Sequence, residues 1–275
     1  VDVVTTGAGT LDLEATTGSL TMNASATLQS VNGDIRLTAG DAVADQIVIG
    51  DITATNANVS LETTGSVLDA DATAGNNDGD NDVTALGLAV DAGKGFGLLA
   101  GNSLTLAVNA METSVNVLAV QVLGSDGINV LEASAVSVGD VVSLVNTGKS
   151  VSVQRVAADA TSSEQTESTQ SDLVTSATNG SNGSIVLRTV AGDITLTEGT
   201  ATDDVNTDAA VVAHGSGNIL IAAEGTATSI TASANADIQS TTGHINLLAT
   251  LDITLNAGVD VVTTGAGTLD LEATT

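Results

Sequence analysis

One short arrangement of polar and apolar positions recurs along this chain. A Gly is followed by one free position and then by aliphatic–x–aliphatic, often closing on Ala or Thr. It reads GDIRLTA at 33–39, GSIVLRT at 183–189, GDITLTE at 192–198, GNILIAA at 217–223 and GHINLLA at 243–249. Alternation over five positions is the period of a β-strand with one face buried. The Gly, or the Asn-Gly of Asn32-Gly33 and Asn182-Gly183, supplies a corner before the strand.

The spacing of these strands predicts the architecture. Leu11, Leu20, Leu28 and Ile35 open successive strands with steps of 9, 8 and 7, and Ile245, Ile253, Val261 and Leu269 step by 8, 8 and 8. Three strands and three corners thus occupy 24 residues. Taking the first strand of each turn gives a column: Leu11, Ile35, Val59, Val83, Leu104, Ile128, Val151, Ile185, Ile219, Ile245 and Leu269. The expected fold is all-β, a right-handed parallel β-helix (β-solenoid) with three strands per coil of about 24 residues and about ten coils. At about 4.8 Å per coil, ten coils rise roughly 48 Å. About eight inward aliphatics per coil, each worth about 1.5–3 kcal/mol when buried, do not offset about 1–2 kcal/mol of backbone entropy per residue. A lone coil is therefore unstable, and its neighbours must seal the core.

The outward position of the same strand reads Asp12, Arg36, Ser60, Thr84, Thr105, Asn129, Ser152, Val186, Leu220, Asn246 and Asp270. No like charges fall side by side, and Asp12 meets Arg36, as an in-register stack requires. Val186 and Leu220 are the apolar interruption, expected to be covered by residues 157–172 or 198–208, with an exposed patch for lateral contact between fibres as the alternative.

A second, longer period overlies the first. VDVVTTGAGTLDLEATT runs from Val1 to Thr17 and returns letter for letter from Val259 to Thr275, an offset of 258 residues (259 − 1). The expectation is a tandem array. Residues 1–258 form one full period, with loop insertions near 69–82, 157–182 and 198–212, and residues 259–275 open the next identical copy. The first residue is Val within a patterned segment, so the expected parent is a longer polypeptide.

Composition narrows the function. Pro, Cys, Trp and Tyr are absent and Phe96 is the single aromatic, while 42% of residues are hydrophobic. This suits a thin aliphatic interior and a backbone ladder that uses every N–H. It argues against immunoglobulin-like sandwiches, which use aromatic anchors. Gly content and β-branched richness argue against helices. Thirty-three acids against five bases (Arg36, Lys94, Lys149, Arg155 and Arg188) give a formal charge of −28. Nucleic acid and anionic lipid would be repelled. No stretch reads as a membrane span or a signal peptide. Zero Cys suits an exported bacterial protein.

Candidate chemistry is sparse. In NNDGDND, Asp78, Asp80 and Asp82 alternate around Gly79 and resemble a calcium loop. The distal bidentate Glu of an EF-hand is missing, so a solvated acidic loop is the competing reading. Calcium is the only cofactor the sequence suggests; Asp203, Asp204 and Asp208 form a weaker second candidate. His214 and His244 flank predicted corners with no ligand partners at metal spacing. GKGFG at 93–97 lacks phosphate-loop spacing and reads as a corner around Phe96. No Ser–His–acid set stands out, and five scattered bases do not suit cleavage of acidic polysaccharide. Columns of Thr pairs, as ice binding needs, are absent. The sequence is read as non-enzymatic.

The Gly-x-Ile/Leu-x-Leu-x-Ala units, most densely GHINLLATLDITLNAG and GSLTMNASATLQSVNGDIRLTAG, resemble the shaft of filamentous-haemagglutinin-type exoproteins and other giant bacterial β-strand-repeat surface proteins. The resemblance implies export by a Gram-negative bacterium and a place at the cell surface or outside the cell. The expected role is a structural repeat of a giant fibre or tether. The partners expected are adjacent copies end to end, with lateral self-association or cell-surface ligands in addition. The alternative is an adhesin shaft whose projecting loops bind glycan or protein.

Overall fold

The computed structural model describes residues 1–42, 44–71, 79–100, 108–176, 183–200 and 209–274. The chain is all-β, with no helix among the described residues. Among the described residues, twenty-four strands form one sheet and two form a separate hairpin. Strands of the large sheet pair in parallel, which fits strands stacked turn upon turn.

The lower part of the tube has three faces. The first carries Asp2–Thr5 and Thr27–Ser30, then residues 51–54, 83–85 and 113–115. The second carries Leu11–Ala15 and Ile35–Ala39, then residues 59–63, 88–92 and 117–122. The third carries Leu20–Thr21, Ile47–Ile49, Ser66–Asp69, Gly95–Phe96 and Gly127–Glu132, and continues as Ile185–Thr189, Ile219–Ala223, Ile245–Ala249 and Leu269–Ala273. Between residues 51 and 122 the corner joining the first two faces is absorbed into long strands, Asp51–Thr63, Val83–Ala92 and Met111–Val122.

Above Met111–Val122 the faces change. The first face ends, because residues 111–113 pair with 130–132 of the third. The second divides: Val136–Val138 pairs with 117–118, and Leu173–Thr175 pairs with 120–122. Each starts a new column. One runs through Ile194–Leu196, Ile230–Ala232 and Ile253–Leu255. The other runs through Ala209–Ala213, Asp237–Ser240 and Val261–Thr263.

The predicted column of eleven therefore survives in two sections. Leu11, Ile35 and Val59 lie one over another on the second face. The next residue up is Leu88, and Val83 sits on Ile52 of the first face. The reason is the long strand: the extra residues before Val83 shift which part of Val83–Ala92 meets Val59. Ile128, Ile185, Ile219, Ile245 and Leu269 stack unbroken on the third face. Val151 is in the hairpin, outside the tube, and Leu104 lies outside the described residues. Phe96 is a wall residue, fully buried between Val67 and Ile128 where an aliphatic would otherwise stand.

The core is one aliphatic column from Leu11 to Ala249, nearly all of it Ile, Leu, Val and Ala. The recurrent Gly has a steric cause. A Cβ on Gly33 would lie 2.1 Å from the carbonyl oxygen of Gly9 one coil below. The same approach recurs from Gly217 to Gly183 at 2.2 Å, and from Gly243 to Gly217 and Gly267 to Gly243 at 2.0 Å. Corner backbones stack so closely that no side chain fits. At two of these corners a buried Ser fastens the turn. Ser30 Oγ donates to Gly9 O and accepts from Gly33 N; Ser240 Oγ donates to Gly217 O and accepts from Gly243 N.

Candidate functional site

The free position of the motif forms its own ladder. Asn218 N donates to Ser184 Oγ, His244 N to Asn218 Oδ1, and Thr268 N to His244 Nδ1. Lower in the tube, Asn58 N donates to Asp34 Oδ1. Each short polar side chain thus caps the backbone of the coil above. His244 is one rung of this ladder. His214 faces the backbone of Thr175.

The hairpin Lys149–Val156/Ser162–Ser168 is the largest departure from the expected loops. Residues 157–172 were expected to project from the shaft. Instead Ser162–Ser168 pairs antiparallel with Lys149–Val156, and the pair lies back along the lower coils. The sequence of the first arm, KSVSVQRV, alternates. Val151 and Val153 are fully buried, while polar backbone groups reach the shaft. Ser150 O accepts from Asn58 Nδ2 at 2.9 Å, Ser152 N donates to Asp34 Oδ2 at 2.8 Å, and Gln154 N donates to Thr10 Oγ1 at 2.8 Å.

The arm brings charge to one strand. Arg155 Nε is 2.7 Å from Asp12 Oδ2, and its other end contacts Glu14. Arg36, one coil up, pairs with Asp12 at 3.1 Å, with Glu14 at 3.6 Å and with Glu167 of the second arm. The predicted Asp12–Arg36 contact is present, and two of the chain's five bases converge on Leu11–Ala15. Asp12 and Arg36 are nearly buried here, so these pairs are better shielded from solvent than ordinary surface ones.

Of the acids in the stretch 69–82, the described residues bring together Asp69, Asp71 and Asp82. Asp78 lies outside the described residues, and Asp80 is exposed. Asp82 is buried and faces Asp69 and Asp71, with carboxylate oxygens within 4.8 Å of one another. The usable signal was Asp69-Ala70-Asp71, where the strand Ser66–Asp69 ends. Asp203, Asp204 and Asp208 lie outside the described residues. Asp82 Oδ2 accepts from Glu112 N at 2.7 Å, and Asp69 Oδ2 accepts from Asn109 Nδ2 at 2.6 Å. Burial, then the charges of Asp69 and Glu112, push the Asp82 carboxyl up to about 10. The neutral acid therefore hydrogen-bonds to Asp69 at ordinary pH. A divalent cation is the other species that would neutralise this trio, with Asp69, Asp71 and Asp82 as its carboxylate ligands.

Two clefts open on the described surface beside these features. One, of about 680 Å³, runs up a corner past Thr38, Thr63, Glu62, Asp91, Lys94 and Asp126. The other, about 390 Å³, is bordered by Val186, Leu220, His244 and Asn246. Val186 and Leu220 are adjacent and half-buried, as their register predicts. Leu99 and Ala100 flank them, and the hairpin arm Lys149–Val156 lies on the lower coils instead. No helix of the described residues is long and apolar enough to cross a membrane. No protein-family model, curated protein or solved structure matches this chain.

Proposed function

We propose that this chain is the repeat unit of a long extracellular rod, made by stacking identical copies end to end. One observation carries the reading. The same seventeen residues occur at both ends of the stack, and they pair upward at one end and downward at the other. As Asp2–Thr5 and Leu11–Ala15 they bond to the coil above, Val3 to Leu28 and Leu11 to Ile35. As Val261–Thr263 and Leu269–Ala273 they bond to the coil below, Val261 to Ile238 and Leu269 to Ile245.

Superimposing the twins joins Ile238–Val3–Leu28 and Ile245–Leu11–Ile35 with no slip in register. The Gly stack then runs Gly183, Gly217, Gly243, Gly9, Gly33 across the junction. Leu11–Ala15 is on the second face and its twin on the third, so each copy is turned by one face from the last. The third face has nine stacked strands between Leu20 and Leu269, which supports eight to nine coils per period, not ten. The rise per copy is then roughly 40 Å in a right-handed coil. The exposed edge at the top, with Leu255, Leu269 and Leu271 uncovered, is the surface the next copy seals.

A non-enzymatic, mechanical role fits this reading, as does a place at the surface of a Gram-negative cell, which rests on motif resemblance alone. The adhesin alternative is favoured by the 680 Å³ cleft, a concave surface bordered by Glu62, Asp91 and Lys94 whose size suits a sugar.

Hydrogen exchange tests the rod. Two proteins are compared: the 275-residue chain, and the same chain preceded by an extra copy of residues 1–258. Amides of 261–273 are expected to exchange fast in the first, where no coil lies above them. At the internal junction of the second they are expected to slow by about 100-fold or more, as ladder bonds form on both sides. Equal rates in both proteins would contradict the rod.

A further inference from the structure

The hairpin reaches the lowest coil of the copy that bears it and does not stop there. Its arm descends two residues per coil: Ser150 meets Asn58, Ser152 meets Asp34, and Gln154 meets Thr10. Asn58, Asp34 and Thr10 are successive rungs of the polar ladder. Thr10 is the twin of Thr268, and the rung below Thr268 is His244. The next shaft-facing residue of the arm is Val156, which is 69% exposed, and the turn 157–161 beyond it is exposed throughout. In a single copy the polar ladder ends at Thr10, one rung above that level. In a stack, the preceding copy continues it.

Resting on the rod reading, we propose that this hairpin is a strap between copies: residues 156–161 seat on the outer face of the preceding copy, over His244 and Asn246. Charge agrees with this placement. The arm sets Arg155 on Asp12 and Glu14, on the strand whose twin is the upper edge of the copy below. The tip that follows is Val156-Ala157-Ala158-Asp159-Ala160, with no base. The surface beneath it, Ser184, Asn218, His244, Asn246, Leu220 and Val186, has no acid, although the chain has 33. Hydrogen bonding agrees as well. His244 Nδ1 accepts from Thr268 N, so the ring proton sits on Nε2, free to point outward to the Val156 carbonyl. The strap would tie each junction from outside while the ladder and core close it from within.

Cysteine placement tests this cleanly, because the chain has no Cys. In the chain carrying an extra copy of residues 1–258, Val156→Cys is made in the second copy and Asn246→Cys in the first, and a short bismaleimide is added. The two sites should couple within one chain, about tenfold or more above the reversed arrangement, with Val156→Cys in the first copy and Asn246→Cys in the second. No coupling, or equal coupling in both arrangements, with slow exchange at the internal junction, overturns the strap and leaves the rod. No coupling with fast exchange at the junction overturns both.

Discussion

Gly243→Ala is expected to destabilise the tube by about 3 kcal/mol or more. The added Cβ falls 2.0 Å from the Gly217 carbonyl oxygen, and this neighbour is backbone, fixed in turn by Ser240. To make room, the corner must lift from the coil below. The ladder bonds of Ile245–Ala249 to Ile219–Ala223 then lengthen on one side. Gly7→Ala is the matched control. A Cβ there meets nothing within 4 Å, so the change should stay within about 0.5 kcal/mol. Denaturant melts of the two variants beside the parent measure the difference. Equal midpoints would mean that the recurrent Gly is not set by stacking.

The second large effect is on pH dependence, and its sign is unusual. Most proteins lose stability on acidification, because paired carboxylates must take up protons. Here burial, with the neighbouring charges of Asp69 and Glu112, holds Asp82 protonated up to about 10, against about 4 in the unfolded chain. The folded state therefore binds more protons between those values, and its stability falls as pH rises through them. The slope from one such group reaches about 1.4 kcal/mol per pH unit. Burial raises Glu132 in the same direction, against hydrogen bonds from Thr113, Ser134 and Val115. Glu62 is raised by burial and then by Glu167 and Asp91.

The melting temperature is thus expected to climb from pH 8 to pH 5. Asp82→Asn should raise it at pH 8 and flatten the slope, since the amide accepts from Glu112 N and donates to Asp69 without ionising. Calcium should stabilise the parent at pH 8, little at pH 5, and not Asp82→Asn. A parent that loses stability steadily from pH 8 to pH 5 would show that the trio is not protonated in the fold.

Much of the architecture was legible from the sequence because the coil is a local rule. The period of 24 fixes Leu11 under Ile35 under Val59, and Ile245 under Leu269, wherever three corners intervene. The rule lapses where a coil is longer than its period. The residues added before Val83 carry it past the 24-residue step, so Val83 was placed above Val59 instead of Ile52.

The hairpin shows the other limit. The alternation of Val151 and Val153 is genuine strand periodicity, but periodicity does not distinguish a wall of the tube from an arm laid against it. That distinction depends on Asp34 and Asn58, more than ninety residues earlier, offering buried partners to Ser152 and Ser150. The acidic site shows a similar limit. Alternation picked out Asp78, Asp80 and Asp82, and among the described residues the fold sets Asp82 beside Asp69 and Asp71, with Asp69 and Asp82 buried.

Small-angle X-ray scattering tests the stacked rod most directly. It would compare the 275-residue chain with the same chain lengthened by one copy of residues 1–258. The maximum dimension should grow by about 40 Å while the radius of gyration of the cross-section stays unchanged. A wider cross-section, or a flexible pair of separate bodies with no fixed increment in length, would contradict a continuous tube.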